Sequence, residues 1–180
     1  MDSVRTEVLE IFYEDRGLKE GRPLLILHGW PDASRGWNVV AQYLITRGWR
    51  AIIPYLRGSG PTRFLSEKTP RDGSRVALAQ DAIDFADALG IDRFFIVGHD
   101  WGARAAYTIA ALYPQRLSAM AALSLAYQSG GVFNIPDFEQ SRRFWYQWFQ
   151  CIDERSRSRA KRSSWFCSYP VGHLESARMV

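Results

Sequence analysis

Cysteine is nearly absent from this chain. Of 180 residues only Cys151 and Cys167 carry a thiol. They sit late and lack the spacing of a metal-ligand set, so we read a reduced thiol pair and expect no metal site and no cofactor. Long apolar runs are missing too. None approaches the ~20 residues of a membrane-spanning helix, which argues against a membrane partner. The opening MDSVRTEVLE is polar and acidic, without the pattern of a secretory or transit leader, and points to a cytoplasmic location. No internal repeat is present, which excludes solenoids and propellers. Nor does most of the chain carry an excess of charge. The net charge of +4 suggests nucleic acid, but residues 1–154 hold 17 Lys and Arg against 18 Asp and Glu, whereas residues 155–180 hold 6 against 1. The basicity belongs to the tail, and no nucleic-acid partner is read from it.

What remains is ordinary globular composition, 47% hydrophobic and 23% charged, enough to bury one domain core. Strand and helix patterns alternate along it. TEVLEIFYED alternates as a first strand, and PLLILHG is a continuous apolar run suited to a strand buried on both faces. SRGWNVVAQYLITRG has helical spacing and a glycine stop; WRAIIPYLRGSGPT is a second buried strand running into a Gly/Pro loop. DGSRVALAQDAIDFADALG offers a serine cap and a terminal glycine, RFFIVGHD a third strand, WGARAAYTIAALYP an alanine-built helix, and LSAMAALSLA a fourth strand. This order predicts an α/β fold with a doubly wound, mostly parallel sheet over residues 1–133. From Asn134 the aromatic, amphipathic IPDFEQSRRFWYQWFQ begins a helical lid (134–154), and residues 155–180 form an atypical basic tail.

One short stretch carries the chemistry. In FIVGHDWGAR a carboxylate, Asp100, stands where a buried strand turns into a helix, with Gly98 and Gly102 on either side. Reactive groups collect at the carboxyl ends of strands in open α/β sheets. G-x-nucleophile-x-G is the form of a nucleophile elbow, a turn too sharp for side chains at the flanking positions. The helix that follows offers backbone N–H groups and a positive dipole end to developing negative charge. Read without that form, Asp100 is a helix N-cap in an unrelated nucleotide-binding-like fold.

Three motifs in order resemble the α/β-hydrolase family, in its epoxide hydrolase and haloalkane dehalogenase branch. HGWPD (His28, Gly29, Trp30, Pro31, Asp32) is similar to the family's H-G-x-P loop, LRGSG (56–60) to its R-G-x-G loop, and GHDWGAR to its elbow. The resemblance covers about residues 5–150. Tyr55 stands where the family usually has Asp. The resemblance implies that Asp100 attacks an sp³ carbon of a small apolar organic substrate, leaving an alkyl ester that activated water then hydrolyses. It implies an oxyanion hole from the backbone N–H groups of Trp30 and Trp101, and a proton for the leaving oxygen from Tyr146 in WYQWFQ. His28 is read as a residue that staples its loop, and His99 as one packed below the site. The aromatics around Tyr146 serve a core equally well, and the Trp30 and Trp101 side chains only line a pocket.

The family's general-base histidine and its acid partner are not recognisable. His173 in PVGHLES does not resemble the base motif. We therefore expect an incomplete hydrolase. Residues 155–180 are compatible with translation in a shifted frame: synonymous codons for this tail, read one base later, encode a helix-forming, tryptophan-rich segment similar to family lids. Haloalkane dehalogenation is the alternative chemistry, and a non-catalytic remnant or binding module the alternative class. The oligomeric state is not legible.

Overall fold

The computed structural model of the chain describes residues 1–125, 127, 138–143 and 145. The chain divides into two compact units, Met1–Gln128 and Ser129–Val180.

The first unit is a mixed sheet with helices on both faces. Its strands are β1 (Asp2–Arg5), β2 (Leu9–Arg16), β3 (Arg22–Leu27), β4 (Trp49–Pro54), β5 (Arg63–Phe64), β6 (Phe94–His99) and β7 (Leu117–Leu123). The helices are α1 (Asn38–Ile45), α2 (Arg75–Ala88) and α3 (Trp101–Leu112). Strand order is β1-β2-β4-β3-β6-β7, with β5 also paired to β2. The four strands β4, β3, β6 and β7 run parallel, whereas β1, β2 and β5 join antiparallel. The parallel part is the one the apolar runs predict. β3 is the clearest case: Leu24, Leu25, Ile26 and Leu27 are all buried, because alternate side chains enter different cores. Leu25 and Leu27 pack with α2 and α3 on one face, Leu24 and Ile26 with Trp37 and Ala41 on the other.

The antiparallel edge is the main departure from the sequence reading. β1 is mostly exposed and β5 is two residues long, so neither has an apolar pattern to announce it; backbone pairing to β2 makes them strands. The segment 34–48 also divides, into a 3-10 turn at Ser34–Trp37 and then α1. α2 starts where a cap was expected, with Ser74 Oγ accepting the Ala77 N–H at 3.2 Å. It ends at Gly90, whose φ of 69° takes the left-handed turn. In α3, Ala103, Ala105 and Ala106 are fully buried, so this helix lies close against the sheet.

From β3 the chain crosses to β4 on one side, and β6 later fills the other side. The strand order therefore reverses at β3. In open α/β sheets ligands usually bind outside the carboxyl ends of the strands at such a reversal. His28 to Pro31 follow β3 and Asp100 follows β6. In the second unit α4 spans Phe138–Arg143, with Glu139 paired to both Arg142 and Arg143.

Candidate active site

Asp100 occupies the single residue between β6 and α3. Its φ of 52° and ψ of −111° are unusual for a residue with a side chain, and such conformations persist only where the surroundings enforce them. Here they do. The Asp100 N–H donates to the Leu123 carbonyl at 3.2 Å, and its own carbonyl accepts from Ala103 at 3.0 Å and Arg104 at 3.2 Å. A Cβ on Gly98 would strike the Gly102 carbonyl, and one on Gly102 would strike the carbonyl of Leu27 in β3. The flanking glycines thus let strand, helix and neighbouring strand close on one another.

The Asp100 side chain makes no capping hydrogen bond to α3. Oδ1 instead accepts the backbone N–H of Trp30 at 3.0 Å. The H-G-x-P loop is held to the elbow by the peptide backbone as well, through Gly102 N–H to the His28 carbonyl at 3.1 Å. Gly29 completes the contact, since a Cβ there would lie 2.5 Å from the Asp100 Cβ. Trp101 opens α3, its ring partly buried against the core and the Arg104 guanidinium 5.1 Å from the ring centroid. Trp30 is 46% exposed, and the Trp30–Pro31 peptide bond is cis.

His28 is buried and both of its ring nitrogens are engaged. Nε2 accepts the Leu56 N–H at 3.2 Å, and Nδ1 lies 2.8 Å from the Gly29 carbonyl. An amide N–H can only donate and a carbonyl only accept, so the ring is the neutral Nδ1–H tautomer. Burial pushes its pKa below the ordinary value. His99 stands at the end of β6, edge-on to the Trp37 ring at 6.4 Å, with its buried Nδ1 unpartnered among the described residues.

Tyr55 fills the place of the expected carboxylate by packing. It is buried, its ring lies edge-on to His28 at 6.4 Å, and Gly60 is bare where it meets that ring. The sequence reading missed the anchor of Arg57, two residues on. Arg57 donates to both Asp81 oxygens, at 2.5 and 2.6 Å, and to the Asp72 carbonyl at 2.6 Å. Asp81 was legible only as a helix charge; its position among Leu78, Ala79, Ala82 and Ile83, all buried, is the signal that it faces inward.

Tyr146, Cys151, Cys167 and His173 lie outside the described residues, as does the basic tail, 155–180. Among the described residues no group of three or more His, Cys, Asp or Glu could hold a metal ion, and no helix is long and apolar enough to cross a membrane. A depression on α1 is lined by Asn38, Val39, Gln42, Tyr43 and Thr46 and includes neither Asp100 nor Trp30.

Comparison with known proteins bears on the fold. A family profile for the alpha/beta hydrolase fold matches residues 22–165. Epoxide hydrolase 3 of Siraitia grosvenorii is 37% identical over 107 residues, 59% of this chain and 33% of that protein. Epoxide hydrolase B of Mycobacterium tuberculosis is 30% identical over 119 residues, 66% of this chain and 33% of that protein. The crystal structure of a presumed epoxide hydrolase from Klebsiella pneumoniae superposes with a TM-score of 0.79 at 37% identity, covering 90% of this chain and 54% of that one. The chain spans about a third of the length of the curated relatives it matches.

Proposed function

Because the chain belongs to the α/β-hydrolase fold family, we propose that it opens small apolar epoxides, with Asp100 as the nucleophile. The observation that carries this reading is the Trp30 N–H directed at Asp100 Oδ1 while the carboxylate caps nothing. An amide donor on one carboxylate oxygen leaves the other, Oδ2, to attack. Oδ2 forms a bond to a ring carbon, the strained C–O bond breaks, and the departing alkoxide takes a proton. Tyr146 is the proposed donor. The product is an alkyl ester whose carbonyl oxygen is Oδ1, already hydrogen-bonded to Trp30. When water attacks the ester carbon, negative charge gathers on that same oxygen, where Trp30 N–H and the Trp101 N–H at the start of α3 stabilise it.

The second step needs a base to activate water. His28 is not available for it, since Nδ1–H is a donor and Nε2 is occupied by Leu56. General-base help contributes on the order of 10²–10⁴-fold, so the ester on the 180-residue chain should outlast its formation. Intact mass spectrometry after incubation with a small aryl epoxide should show a stoichiometric adduct, absent in Asp100→Ala. A folded protein that neither gains mass nor releases the diol product defeats the reading. The names of the relatives favour epoxides over haloalkanes, and halide release from an alkyl bromide in a parallel reaction, without an epoxide adduct, would reverse that preference.

A further inference from the structure

We propose that Arg57, gripped by Asp81, is a positioning residue that aims the Trp30 N–H at Asp100 through the tautomer of His28. The inference rests on the reading of Asp100 as the nucleophile and adds to it a remote control on its carboxylate.

The path is a chain of single contacts. The Arg57 guanidinium binds both Asp81 oxygens on α2 and the Asp72 carbonyl before it, so three points fix its place. Both side chains are at most 10% exposed, which shields the fork from competing water. Leu56, the residue before Arg57, is thereby held with its N–H on His28 Nε2. A donor on Nε2 forces the imidazole proton onto Nδ1, and that proton goes to the Gly29 carbonyl. The last link is covalent. The Gly29 carbonyl and the Trp30 N–H belong to one planar peptide unit, in which the two groups point in opposite directions. Holding the carbonyl with His28 therefore sets the direction of the N–H, and its acceptor is Asp100 Oδ1 at 3.0 Å. With the other tautomer, Nε2–H would face the Leu56 N–H and bare Nδ1 would face the Gly29 carbonyl. Both contacts would become repulsive, and the peptide plane would lose its hold.

Arginine is required at 57 because only its planar fork spans two carboxylate oxygens and a third acceptor; lysine keeps the charge but not the geometry. The test uses the intact 180-residue protein without substrate. Ring ¹⁵N chemical shifts of His28 should report the Nδ1–H tautomer in the parent. In Arg57→Lys the ring should become a mixture of tautomers, and exchange of the Trp30 backbone amide should quicken at least tenfold, with amides of β3 unchanged. Asp81→Asn, which keeps the size of the side chain, should do the same and decides the matter if Arg57→Lys fails to fold. An Nε2–H tautomer in the parent overturns the proposal, and so does unchanged Trp30 exchange in a folded variant. The adduct assay reads separately: a locked tautomer with no alkylation of Asp100 would defeat the proposed reaction and leave the positioning path standing.

Discussion

Burial lowers the His28 pKa, against smaller raising effects from the Gly29 carbonyl and the Asp32 carboxylate. An imidazole in the unfolded chain titrates near about 6.5, so below that pH the unfolded state takes up a proton that the native state resists. The stability due to His28 is complete above about 6.5 and is lost as pH falls from there through the lowered native value. Urea midpoints measured at steps from about pH 8 to about pH 5 should fall on the acid side in the parent and less steeply in His28→Gln. Parallel curves would show that the ring does not titrate against its own bonds. At this scale the sequence was informative where geometry leaves few residue choices. Gly98, Asp100 and Gly102 announce a sharp turn by their spacing alone. Asp81 does not announce itself, because an acidic residue on a helix reads as solvated until its neighbours are known to be buried. The partnership of His28 with Leu56 was invisible for a different reason: one partner is a backbone amide, which every residue but proline possesses.

Elements were legible in proportion to how much of their cause is local. α2 carries its own boundaries, a serine before it and a glycine after it. Ser74 Oγ accepts the Ala77 N–H, and its hydroxyl donates to Asp72 at 2.9 Å, so Ser74→Ala strips one helix donor of its partner and leaves Asp72 with one bond fewer. The expected cost is about 1 kcal/mol, read as a lower urea midpoint at unchanged slope; an unaltered midpoint would mean that water caps the helix equally well. The inner strands were found from their apolar runs, β3, β4 and β6 alike. β1 and β5 were not, because their cause lies in β2, residues away along the chain. The division of 34–48 into a 3-10 turn and α1 was similarly unreadable. Buried Ser34 and Trp37 fix that turn through tertiary packing, for which helical spacing offers no signal.

For the molecule as a whole, the parallel strands followed from the order of patterns, whereas the antiparallel margin did not. The opposite margin has a physical consequence. β7 pairs with β6 on one side, and among the described residues no strand lies beyond it. Ser118, Ala119, Met120 and Ala121 along it are exposed, and Met120 is 37% accessible. An apolar strand with open N–H and C=O groups is a template for pairing with another chain. The 180-residue protein should therefore associate as its concentration rises, and Met120→Lys should shift sedimentation back towards the monomer. A parent that stays monomeric throughout would show the margin to be protected.

The bare α-carbons at 29, 98 and 102 also bear on inheritance. Glycine alone among the coded amino acids has no Cβ, so every missense change at these three codons, whatever it encodes, delivers the same first atom into the same occupied space. Conservative replacement does not exist there. A lineage that keeps this backbone unshifted therefore keeps three codons that vary only silently.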